Sequence, residues 1–127
     1  MSSHIHMIIG RHGKDSLNGI IRDIKKYTSV QIIKAIKDHP GESRKELFMW
    51  LFARAGKRNN NNTNFQFWQQ NNHPIELGND ERLYKILDYI HENPVMAGIV
   101  CSPEDYLYSS AKNYAEMPDT LIDVILI

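Results

Sequence analysis

A change of period constrains this fold more than any other feature. Ser3 to Ile9 alternates, with His4 and His6 on one side and Ile5 and Met7 on the other, and then runs apolar. A two-residue period describes a half-buried strand. Three later stretches repeat at the helical period instead. Ser16 caps a predicted long helix with Leu17, Ile20, Ile21, Ile24, Thr28, Ile32 and Ala35 on one stripe, and Asp38-His39-Pro40-Gly41 stops it. Ser43-Arg44-Lys45-Glu46 reads as a capping box for a second helix, with Leu47, Phe48, Leu51, Phe52 and Ala55 inward and Gly56 at its end. A third helix, Asp80 to Asn93, turns Leu83, Ile86, Leu87 and Ile90 inward, with Pro94 just past its end. Phe65-Gln66-Phe67-Trp68-Gln69 alternates again and predicts another strand. Asn59 to Asn62 reads as a loop, Pro103 to Tyr108 as irregular turns, and Ser109 to Ala115 as a further short helix. Strands mixed with helices in 127 residues predict a single α+β domain over 1–127.

Bulk properties narrow the setting. With 42% hydrophobic residues the chain has the material for one core. One cysteine, Cys101, excludes an internal disulfide and fits a reducing cytoplasm. No apolar run approaches the roughly 18 residues of a membrane span. The net charge is zero, yet residues 1–60 hold 12 Lys/Arg against 5 Asp/Glu and residues 61–127 hold 3 against 10. A basic half and an acidic half are hidden in the balance.

His4 and His6 share a face, about 7 Å apart along an extended backbone, with Ile5 turned the other way. Two imidazoles so placed make half of a metal site. Tyr89 and Asn93 are four apart on the predicted third helix and share a face there, so a phenol and an amide oxygen are neighbours. Two histidines, one amide and one tyrosine are the parts needed to break a phosphodiester with a tyrosine nucleophile. A free phenol has a pKa of about 10, and a phosphodiester anion repels it, so a cation must neutralise phosphate charge. Imidazoles suit manganese, zinc or nickel, while an amide oxygen and the phosphate bring magnesium into range. By spacing alone these signals are weak. His-x-His pairs are mostly idle, helix tyrosines are mostly packing residues, and an Asn before proline is mostly a helix terminator.

The order of motifs adds what spacing lacks. Met1-Ser2-Ser3-His4-Ile5-His6-Met7-Ile8-Ile9 looks like the HUH signature of single-tyrosine transposases. Ile21 to Ser29 resembles the helix that follows it in that family. Phe67-Trp68-Gln69, the run Leu87 to Val95 and the run Pro103 to Ala111 resemble its later blocks. Together they are similar to the REP-associated branch of the insertion-sequence transposases. The resemblance implies a ferredoxin-like antiparallel sheet with helices packed on it. It implies an enzyme that cuts and rejoins single-stranded, hairpin-containing DNA, in the bacterial cytoplasm and on the nucleoid when bound. On matching positions, His4, His6 and Asn93 would hold magnesium or manganese. Tyr89 would attack, leaving a 5′-phosphotyrosine and a free 3′-hydroxyl. Family members usually carry a strand–helix–strand region before the HUH strand. The sheet is therefore expected to be incomplete at the N-terminus, and its exposed edge would favour a homodimer.

Arg22, Lys25 and Lys26 lie opposite the apolar stripe of the first helix and are expected to track a DNA backbone, with a solvated helix face as the plain alternative. Lys14, Arg54, Lys57 and Arg58 border loops and extend the same basic character. Trp68 is the candidate for stacking on a base. Two other functions fit the same residues. One is a non-catalytic nucleic-acid-binding remnant of a transposase. The other is a small metal hydrolase using His4 and His6 with water.

Overall fold

The computed structural model describes residues 3–59 and 64–127. It contains four α-helices: α1 (Leu17–Asp38), α2 (Lys45–Lys57), α3 (Asp80–Met96) and α4 (Ala111–Tyr114), with a short 3-10 turn at Pro103–Asp105. Among the described residues there is no strand. The ferredoxin-like α+β sheet expected from the alternation is therefore not formed. Residues 4–10 and 65–67 are irregular backbone. Alternation specifies two faces but supplies no neighbour, and a strand exists only when a second one takes up its N–H and C=O groups. The loop expected at Asn59 to Asn62 lies, from residue 60, outside the described residues.

The chain divides into two compact units, Ile9–Pro74 on one side and Met1–Ile8 with Ile75–Ile127 on the other. The charge asymmetry follows this division. The first unit carries all 12 Lys/Arg and 5 Asp/Glu of the basic half, and the second carries 3 and 10.

In the basic unit, α1 starts where expected, the Ser16 hydroxyl accepting the Gly19 N–H at 3.0 Å. The capping box of α2 is not formed. Arg44 holds the cap position, and its N–H goes to Glu42 Oε1 at 2.9 Å. Phe48 and Phe52 of α2 stack at 6.2 Å, and Phe52 meets Phe67 at 5.1 Å. The segment carrying Phe67 is strapped across α2 by Gln66 N–H donating to Phe52 O at 3.0 Å. Gly56 is buried inside α2 rather than capping it. A Cβ there would stand 2.9 Å from Asn64 O and 3.0 Å from Phe65 Cα, so the close approach of the strap requires glycine.

In the acidic unit, Asn79 caps α3 by accepting the Arg82 N–H at 2.9 Å, and Asp80 and Glu81 in the first turn complement the helix dipole. The helix runs past its expected end. Pro94 lies inside it, leaving Ile90 O without the usual N–H donor, and α3 ends at Met96 before Gly98, whose φ is +66°. The Ile99 N–H then donates to Pro94 O at 3.0 Å. Leu87 and Pro94 of α3 and Ala111 of α4 are the buried apolar residues of this unit among those described. His91 ties the two helices: its Nε2 is 2.9 Å from Ser110 Oγ and its ring meets Tyr114 edge-on at 5.2 Å.

Candidate active site

The candidate site lies within the acidic unit and is built from two pieces of chain. The first is the irregular segment bearing His4 and His6. Their rings meet edge-on with centroids 4.9 Å apart. The i, i+2 relation puts both side chains on one side of an extended backbone whether or not that backbone joins a sheet. The second is α3, whose Tyr89 ring stands 5.7 Å from that of His6, again edge-on. Asn93 follows one helical turn after Tyr89 and is half-buried. His91, two residues from Tyr89, is directed instead to Ser110 and Tyr114.

The two histidines have different surroundings. His4 is exposed, and its Nδ1 is 3.2 Å from Ser3 Oγ, a contact that orients the ring and does not involve Nε2. His6 is half-buried. Its Nε2 is shielded from solvent with no hydrogen-bond partner among the described residues. Burial, and then the neighbouring His4, hold the His6 pKa below the ordinary histidine value. The neutral imidazole keeps a lone pair, the form in which it binds a metal. Tyr89 is 56% exposed.

The residues present suit a divalent ion. Two imidazoles sharing one ion at roughly 2.0–2.1 Å place their ring centres about 5 Å apart, close to the separation here. An orphaned, shielded Nε2 is the atom such an ion would satisfy. No cluster of three or more His, Cys, Asp or Glu able to hold a metal occurs among the described residues. Ser3 is the residue that sequence reasoning missed. Its place beside the first histidine was its only signal.

The expected DNA-tracking residues belong to the basic unit. Arg22 pairs with Asp23 at 2.8 Å, and Lys25 is tied to Gln69 O and Asn72 Oδ1. Lys26 is exposed. Trp68 is half-buried, its ring edge-on to Phe67 at 5.0 Å, and its Nε1–H donates to Thr28 Oγ1 at 2.9 Å. That hydroxyl in turn donates to Ile24 O at 2.7 Å, so the indole is part of the packing between the strap and α1. No described helix is long and apolar enough to cross a membrane. Comparison of the chain with family models, curated proteins and solved structures gave no match.

Proposed function

We propose that this protein is a single-tyrosine transposase-type DNA strand transferase, cutting and rejoining single-stranded, hairpin-containing DNA. The observation that carries the reading is the ring cluster of His4, His6 and Tyr89, with the shielded and unpaired His6 Nε2 at its centre. Residues 83 positions apart in sequence meet there with the chemistry that phosphodiester cleavage by a phenol requires.

Tyr89 Oη attacks the phosphorus. The Oη–P bond forms and the P–O3′ bond breaks; the phenol gives up its proton and the leaving 3′-oxygen gains one, so the products are a 5′-phosphotyrosine and a free 3′-hydroxyl. Attack of a 3′-hydroxyl on the phosphotyrosine reverses the step and joins strands. Magnesium or manganese, which His4, His6 and Asn93 would hold, would supply charge neutralisation at the phosphate. Ser3 orients His4, and burial, then the neighbouring His4, lower the His6 pKa, which favours its neutral form. The site stands in a unit with 3 cations against 10 acids, so a phosphate entering it meets net repulsion unless that charge is offset.

The test is incubation with a single-stranded hairpin oligonucleotide and manganese, followed by denaturing electrophoresis. A covalent adduct is expected, lost in Tyr89→Phe and weakened less in Asn93→Ala, where water replaces one neutral ligand. A second reading, a non-catalytic nucleic-acid-binding remnant, is favoured by the irregular backbone that carries His4 and His6, since no sheet holds the pair rigid. Salt-sensitive binding without an adduct would select it.

A further inference from the structure

The basic unit contains a second surface that the cleavage chemistry does not use. On α2, Trp50, Ala53, Arg54 and Lys57 follow at helical spacing, and with Arg58 they line a groove of about 290 Å³. The opposite face of the helix, with Phe48 and Phe52, packs on Phe67 of the strap, so this groove faces outward. Trp50 is 54% exposed. The Arg54 guanidinium lies 5.0 Å from the centre of the Trp50 ring. Among the described residues none of Arg54, Lys57 and Arg58 forms an ion pair with an acid, and no acid lines the groove. The C-terminal dipole of α2 favours cations in its last turn. That does not account for a large indole left in solvent beneath one of them.

We propose that this groove is a single-stranded DNA contact, in which a base stacks on the Trp50–Arg54 pair and the adjoining phosphate lies between Lys57 and Arg58. A flat apolar ring bearing a guanidinium accepts any base by stacking, and unpaired cations beside it take the backbone charge. An acidic peptide would satisfy the cations but leave the indole unused, so the pairing of ring and charge favours nucleic acid. The contact depends on the proposed function only for the choice of single-stranded DNA as the polyanion.

The experiment is binding of a fluorescein-labelled oligothymidylate to the full chain, followed by anisotropy across a salt series without divalent metal. Trp50→Ala is expected to weaken binding roughly tenfold, the scale of one lost base stack. Arg54→Ala with Lys57→Ala should flatten the slope of log K against log salt by about one to one and a half. Circular dichroism of both variants checks that helix content is kept, as exposed positions allow. In Trp68→Phe, where Trp50 is the one remaining tryptophan, the oligonucleotide should quench the fluorescence. Binding within twofold of wild type in both groove variants, or stronger binding to anionic vesicles or to poly-glutamate than to the oligonucleotide, would overturn the proposal. Its failure is separable from that of the cleavage reading. Tyr89→Phe abolishes the adduct without touching metal-free binding, and the groove variants do the reverse at saturating DNA.

Discussion

Replacing Gly56 by alanine should destabilise the basic unit, although the same change in an ordinary exposed helix stabilises. Alanine gains about 1 kcal/mol over glycine in a helix interior. Here the new methyl would stand 2.9 Å from Asn64 O, 3.0 Å from Phe65 Cα and 3.0 Å from Phe65 N. All three are backbone atoms, so no side-chain rotation relieves the contact. Either α2 or the strap must shift. A shift lengthens the Gln66 N–H to Phe52 O bond and opens the Phe52–Phe67 contact. Overpacking of this kind costs about 1–3 kcal/mol. The net expectation is a loss of about 1 kcal/mol, which lowers a urea midpoint by roughly 0.5 M for a chain of this size. Urea titration followed by tryptophan fluorescence reads it, since Trp68 sits at the end of the same strap. A midpoint above that of the wild type would mean that the strap does not lie against Gly56.

Replacing both His4 and His6 by alanine should abolish manganese binding in calorimetric titration while leaving helix content unchanged, because neither residue lies in a helix; undiminished affinity would return the pair to idle surface residues. Thr28→Val removes the acceptor of the Trp68 indole N–H and should cost about 1 kcal/mol by urea titration, with a red-shifted Trp68 emission. His91 is held below the ordinary histidine pKa chiefly by burial, only partly opposed by Asp88, Glu104 and Glu92. The unfolded chain then binds more protons between the two pKa values, so this contribution is complete above about pH 6.5 and is lost as pH falls through the folded value. The urea midpoint should therefore drop less between neutral and mildly acidic pH in His91→Asn than in the wild type, and identical pH dependence would contradict the burial of His91.

What the sequence made legible was local. Ser16 caps α1 and Asp38 ends it because the hydroxyl, the stripe and the His39-Pro40-Gly41 stop act within a turn or two of one another. The shared face of His4 and His6 rests on backbone period alone, which is why their ring contact, and that of His6 with Tyr89, form without a sheet. The strands did not survive, because pairing is a relation to distant residues that alternation at Ile5 or Phe67 does not encode. Two smaller departures have named causes. α2 starts one residue later than expected, with Arg44 rather than Ser43 at the cap position, so the Ser43 capping box does not form. Pro94 withholds one hydrogen bond without clashing enough to stop α3, and the helix continues to the glycine that can turn it. The charge asymmetry was visible as a count, but only the division at Ile9 and Pro74 shows that it is a division between compact units.

Tyr89 as nucleophile is the central claim, and its most direct test is where the DNA becomes attached. The adduct formed with a hairpin oligonucleotide and manganese is digested with protease and nuclease, and the modified peptide is located by mass spectrometry. The account predicts a phosphonucleotide on Tyr89, placed there by fragmentation of the peptide Ile86–Lys112, which also holds Tyr106 and Tyr108. Attachment at Tyr84 or Tyr106, or no adduct with a chain that binds the oligonucleotide, would contradict it.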